Sequence, residues 1–149
     1  RKPRNMLIGE YKHTIDGKSR ISLPAKFRKE MGKKLVVTYG LDNCLFVFTE
    51  KEWKVIAKHL SEFSLLQSDN RSFNRFMFGG AIEVSIDSIG RILIPDHLKD
   101  WGKLKQKAVI IGVQNRLEIW GENSWNSYKK DIEKKADGLA EKLGGVGIL

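Results

Sequence analysis

The chain has 149 residues, of which 41% are hydrophobic and 30% charged, so it is a globular protein with a real core and not a disordered polymer. Its formal charge of +9 is unevenly spread: residues 1–34 hold 11 Lys/Arg and 3 acids, a net of +8, whereas residues 35–149 hold 16 and 15. The single Cys44 excludes an intrachain disulfide, no Cys/His cluster has metal-ligand spacing, and the longest apolar runs are too short for a transmembrane helix or a signal-peptide core. Setting Arg1, Lys2 and Arg4 aside still leaves +5 in the first 34 residues. A polyanion such as nucleic acid is the natural partner of that field, in a reducing cytoplasm.

From the N-terminus, Tyr11 to Ile15 and Ile21 to Leu23 alternate apolar with polar residues, as half-buried strands do, and the Asp16–Ser19 segment between them has turn chemistry. Pro24 ends the second strand and starts a short helix, Ala25 to Met31, with Phe27 and Met31 on one face and Gly32 as its stop. Leu35–Tyr39 and Leu45–Phe48 form a strand pair across the Gly40-Leu41-Asp42-Asn43 turn. Thr49-x-x-Glu52 is a capping box for a helix with the stripe Trp53, Ile56, Ala57 and Leu60. Ser68 to Phe78 predicts a further helix, with Phe73, Phe76 and Met77 apolar, leading through Gly79-Gly80 into a second set of strands from Ala81 to Trp120. The last helix, about Ser124 to Leu143, is expected to bury Trp125, Tyr128, Ile132, Ala136, Leu139 and Leu143, and the Gly144-Gly145-Val146-Gly147 tail to fray.

This order contains a duplication. Ile15-Asp16-Gly17-Lys18-Ser19-Arg20-Ile21-Ser22-Leu23-Pro24 aligns at an offset of 71 with Ile86-Asp87-Ser88-Ile89-Gly90-Arg91-Ile92-Leu93-Ile94-Pro95. Further matches follow in the same order: Gly32 with Gly102, Gly40 with Gly112, Asn43 with Asn115, Leu45 with Leu117, Val47 with Ile119 and Trp53 with Trp125. The fold class is α+β: residues 10–52 as repeat one, 53–80 as a helical connector, 81–124 as repeat two and 125–143 as a C-terminal helix. Each repeat alone has exposed strand edges and little core, so the two are expected to pack with pseudo-two-fold symmetry, both turns on one surface.

Asp and Arg four residues apart across a turn can meet, the carboxylate accepting turn N–H groups while holding the guanidinium. An Arg held in this way can clamp phosphate or read guanine in the major groove. The candidate DNA-contacting residues are therefore Asp16 with Arg20, Asp87 with Arg91, and Lys18 as a phosphate contact. A plain ion pair locking a hairpin is the simpler reading of either pair alone; the presence of both pairs, while Gly17 and Lys18 give way to Ser88 and Ile89, favours a shared use. Residues 11–34 carry 8 basic and 2 acidic groups and residues 82–105 carry 4 of each, so repeat one should dominate electrostatic attraction.

Several blocks together resemble the MraZ transcriptional regulators, a family with the swapped-hairpin AbrB-type fold. They are Gly9-Glu10-Tyr11 with His13-Thr14-Ile15-Asp16, Arg20 with Pro24-Ala25-Lys26-Phe27-Arg28, Gly40-Leu41-Asp42-x-Cys44-Leu45, Gly79-Gly80-Ala81, Asp87-x-x-Gly90-Arg91 with Ile94-Pro95, and Ile111-Gly112-Val113-x-Asn115-Arg116-x-Glu118-Ile119-Trp120. The match covers roughly residues 6–143. The resemblance implies two AbrB-like swapped-hairpin units and a bacterial, nucleoid-associated regulator. It implies binding to short direct DNA repeats upstream of the family's own division and cell-wall gene cluster, and assembly into homo-oligomeric rings. It also implies that Asp16, Arg20, Asp87 and Arg91 contact DNA. One departure stands out: Ser19 precedes Arg20 where the family usually has Gly, which bears on the aim of Arg20.

Two other readings compete: a protein-interaction module of antitoxin type, and a ring with only nonspecific nucleic-acid affinity. An enzyme is not expected. His13, His59 and His97 have no counterpart in the other repeat, no nucleophile–base spacing is evident, and Cys44 in its apolar run reads as a core thiol. No cofactor, metal, small-molecule substrate or membrane partner is called for.

Overall fold

The computed structural model describes residues 6–147. Arg1, Lys2 and Arg4 lie outside the described residues. In chain order the elements are β1 (Leu7–Thr14), β2 (Arg20–Ser22), α1 (Ala25–Met31), β3 (Lys34–Tyr39), β4 (Leu45–Thr49), α2 (Glu50–Ser61) and α3 (Ser68–Gly79). They continue with β5 (Ile82–Ser85), β6 (Arg91–Leu93), α4 (Asp96–Trp101), β7 (Lys107–Gln114), β8 (Leu117–Gly121) and α5 (Glu122–Gly145).

Local chemistry accounts for the boundaries. Pro24 and Pro95 occupy the N-cap positions of α1 and α4, where a residue without an N–H loses no helix bond. Phe27 and Met31 form the buried face of α1. Thr49 caps α2, its hydroxyl accepting the Glu52 N–H at 3.1 Å. β1 starts at Leu7, four residues before the alternation at Tyr11 suggests, because its whole length pairs with the long strand β7, from Leu7 opposite Gln114 to Thr14 opposite Lys107.

The repeats exchange strands. A six-stranded antiparallel sheet runs β1-β7-β8-β4-β3-β5, and β2 pairs with β6 in a separate two-stranded ribbon. Thus β1 of repeat one lies on β7 of repeat two, and β5 of repeat two lies on β3 of repeat one. The registers match when the repeats are interchanged: His13 faces Ala108 as Val84 faces Leu35, and the Ile15 N–H reaches Gln106 O as the Ile86 N–H reaches Lys33 O. In the ribbon Ile21 faces Ile92, with Arg20 opposite Leu93 and Ser22 opposite Arg91. One core results, with Ile21, Phe27, Leu35 and Leu45 of repeat one buried against Ile92, Leu98, Ile110 and Leu117 of repeat two. Neither repeat encloses these side chains alone, so the two fold as one hydrophobic unit.

The helices are more exposed than their apolar stripes suggest. Trp53, Ile56, Ala57 and Leu60 are half-buried, and in α3 Met77 is buried while Phe73 is exposed. In α5 burial is confined to the first turns: Trp125 is buried, Tyr128 and Ile132 are half-buried, and Ala136, Leu139 and Leu143 are exposed. A helix of 24 residues extends about 36 Å, and only its first half has sheet beneath it. Gly144 and Gly145 belong to this helix, which closes with the Val146 N–H on Leu143 O.

Candidate nucleic-acid interface

The two Asp-x-x-x-Arg segments form near-identical turns at the ends of the ribbon. In the first, Asp16 Oδ1 accepts the Lys18 N–H at 2.9 Å and the Arg20 N–H at 3.0 Å, and Oδ2 accepts Arg20 Nε at 2.9 Å. In the second, Asp87 Oδ1 accepts the Ile89 N–H at 3.1 Å and the Arg91 N–H at 2.8 Å, and Oδ2 accepts Arg91 Nε at 2.8 Å. Backbone bonds repeat as well: the Asp16 N–H reaches Arg20 O, and the Asp87 N–H reaches Arg91 O. Each carboxylate thus uses one oxygen to close the backbone and the other to hold the guanidinium through Nε, leaving the terminal nitrogens as the outward fork. These bonds favour the ionised form, so the Asp16 and Asp87 carboxyls titrate below the usual aspartate range, the Arg20 and Arg91 backbone N–H groups being the largest cause.

The forks share one surface. Arg91 Nη1 comes within 3.7 Å of Asp16 Oδ2, so the guanidinium of repeat two reaches the carboxylate of repeat one. Among the described residues no ion pair joins Arg20 to Asp87. The two Arg side chains are 30% and 25% exposed, each held by its carboxylate through Nε. Lys18 lies exposed at the tip of the first turn. The ribbon explains this placement: Ile21 and Ile92 point into the core, so their strand neighbours Arg20 and Arg91 point away from it.

Ser19 leaves the first turn intact. It adopts φ 62°, the left-handed region that Gly90 occupies at φ 86° in the second turn. Two residues that the motif does not include brace these positions. Lys99 Nζ donates to Ser19 Oγ at 2.9 Å, and Arg28 Nη1 donates to Ile89 O at 3.3 Å. Arg28 and Lys99 are 71 residues apart, on α1 and α4, so each helix braces the turn of the other repeat. Sequence reasoning missed them as site residues. The signal available was their equivalence under the repeat offset with charge retained. Lys18, Arg20 and Arg91 thus lie in or beside the two turns, and Arg28 and Lys99 bond to them.

Cys44 is buried beside Val109, Trp120 and Trp125, its thiol donates to Leu41 O at 3.2 Å, and burial pushes its pKa well up. His97 Nε2 lies 3.1 Å from Gly80 O. Among the described residues no group of three or more His, Cys, Asp or Glu could hold a metal ion.

Comparison with known proteins gives the same duplicated organisation. The family model described as "MraZ protein, putative antitoxin-like" matches twice, over residues 6–76 and 77–143. The chain belongs to the MraZ family. Proteins named "Transcriptional regulator MraZ" from Caldicellulosiruptor saccharolyticus and Caldanaerobacter subterraneus are each 46% identical over 143 residues, covering 96% of this chain and all of theirs. One of the same name from Carboxydothermus hydrogenoformans is 46% identical over 138 residues, 93% of this chain and 96% of its own. In this MraZ-family chain the boundary between the two matched segments falls within α3, so the first includes α2 and most of α3.

Proposed function

We propose that this chain is a sequence-specific DNA-binding transcriptional regulator and not an enzyme, gripping double-stranded DNA with Arg20, Arg91 and Lys18 while Asp16 and Asp87 hold the arginines. The observation that carries this reading is the pair of carboxylate-held guanidiniums on one ribbon, Arg91 lying 3.7 Å from the aspartate of the opposite turn. A two-stranded β-ribbon fits the major groove, and arginine forks there read guanine. The basic surround supplies sequence-independent attraction, and the printed names of the relatives agree with a regulator.

In this reading the strand exchange is the swapped-hairpin arrangement of two AbrB-like units. Copies of the chain assemble into a ring that meets short direct DNA repeats, multiplying weak contacts by avidity. The targets are the chain's own promoter and the adjoining division and cell-wall genes, which makes the protein cytoplasmic and nucleoid-associated. No helix among the described residues is long and apolar enough to cross a membrane. The antitoxin-type alternative has less support: such tails are acidic and extended, whereas α5 is a helix holding five Lys and five acids.

The test is a gel shift on the DNA upstream of this protein's own gene, with unrelated competitor DNA and a salt series. A retained shift under competitor supports the proposal. Equal affinity for both DNAs leaves a nonspecific ring, and Arg20→Ala and Arg91→Ala variants that both bind as well as wild type remove these residues from the interface.

A further inference from the structure

The near-symmetry of the ribbon is broken on its outward face. Arg20 and Arg91 are equivalent, but Lys18 of repeat one corresponds to Ile89 of repeat two, and Ser22 to Leu93. Ile89 is 62% exposed at the tip of the second turn, and Leu93 is 55% exposed at the end of β6. Single exposed aliphatic side chains are ordinary on protein surfaces. These two stand where the other repeat has polar groups, on the face that carries both arginines. Leu93 lies directly across the ribbon from Arg20, and Ser22 directly across from Arg91. Directly opposite residues project from the same face, so one end of the ribbon presents a guanidinium beside an aliphatic group and the other a guanidinium beside a hydroxyl.

We propose that Ile89 and Leu93 are specificity-determining residues that contact the 5-methyl groups of thymines in the major groove. The inference rests on the DNA-binding reading above and gives its two half-sites different chemistry. The thymine methyl is the apolar feature that a base pair displays in the major groove, and aliphatic side chains are its complement. Lys18 and Ser22, at the equivalent positions, suit phosphate and hydrogen-bonding edges instead. A ribbon with identical halves would read an inverted repeat equally in both orientations. One end carries Lys18, Arg20 and Leu93 and the other Ile89, Arg91 and Ser22, so the two ends differ in chemistry, the protein has a single preferred orientation on its box, and successive copies are served by boxes repeated head to tail.

The experiment selects a preferred duplex from a randomised pool with the full chain, then resynthesises that duplex with deoxyuridine for thymine, one position at a time. Deoxyuridine removes the methyl and leaves base pairing unchanged. Substitution at the thymines that meet Leu93 and Ile89, one toward each end of the box, should weaken wild-type binding by roughly three- to fivefold each, the equivalent of one buried methyl. The Ile89→Lys/Leu93→Ser variant, which copies repeat one at two exposed positions, should bind the thymine and deoxyuridine duplexes equally. Selection of a clear preferred sequence that wild type binds equally well with or without methyls would overturn the methyl contact and leave DNA recognition standing. A pool yielding no preferred sequence would overturn both. A change in the variant's mass by light scattering, with methyl discrimination retained, would assign the two side chains to contacts between copies and overturn the proposal.

Discussion

The two repeats build the same turn from different residues: not one of the three positions between the aspartate and the arginine is shared. The first has Gly17, Lys18 and Ser19, and the second Ser88, Ile89 and Gly90. The closing bonds agree within a few tenths of an ångström because the carboxylate, and not the tip, sets the geometry. The tip is left free to carry a cation in one repeat and an aliphatic group in the other. The helices after each repeat differ more. α2 is roofed by α3, Trp53 packing 5.8 Å from Phe48 and 5.6 Å from Phe78 between ring centres. α5 has no such roof. It is pinned at one end, where Trp125 packs at a tilt against Trp120, stacks on Tyr128 and donates its indole N–H to Glu10, which also accepts Lys129 Nζ at 2.9 Å. Equivalent tryptophans therefore have unequal duties: one is half of a helix pair, the other the main anchor of a long helix.

That contrast can be broken by substitution. Trp125→Ala should cost about 3–5 kcal/mol in urea denaturation, as the loss of a buried aromatic does, and Trp53→Ala less, since Trp53 is only half-buried. Equal costs would mean that the roof and the anchor are equivalent. Next in size, Arg20→Ala and Arg91→Ala should each lower affinity for the upstream DNA by about ten- to a hundredfold with an unchanged melting curve. A loss confined to one of them would assign recognition to a single repeat.

Gly90→Ala should destabilise by about 1–2 kcal/mol, because φ is positive there and the added methyl would fall on the Arg28 guanidinium, which must move aside. Its mirror, Ser19→Gly, relieves the left-handed serine but gives up the Lys99 bond, so its thermal shift should correspond to less than about 0.5 kcal/mol. The smallest effect is in pH. Both aspartates have folded-state pKa values below the ordinary one, so their contribution to turn stability is complete above the ordinary aspartate range and is lost as pH falls from there through the lower folded-state values. The Lys18 and Ile89 amide resonances should report this titration in NMR, both with midpoints below that of an unstructured aspartate. An ordinary midpoint in either would show that its carboxylate does not hold the turn.

Much of the candidate site was legible without coordinates. The Asp16–Arg20 and Asp87–Arg91 contacts span four residues, the Pro24 and Pro95 helix starts are local, and the Thr49 cap spans three, so each follows from chain geometry. Arg28 and Lys99 were not legible as braces, because each acts on a turn 61 or 80 residues away. The exposed end of α5 was misread for a related reason: an apolar stripe identifies a face but not whether anything lies beneath it.

By itself the sequence determined that there are two copies of one unit, the order of most strands and helices though not the start of β1, and which aspartate holds which arginine, since these depend on periodicity and hydrogen bonds within a few residues. Only the tertiary structure decided which strands pair and that the turns share a surface. An exposed strand edge accepts any partner of suitable register, and the choice of β7 for β1 and β3 for β5 is made by the one shared core that this exchange encloses.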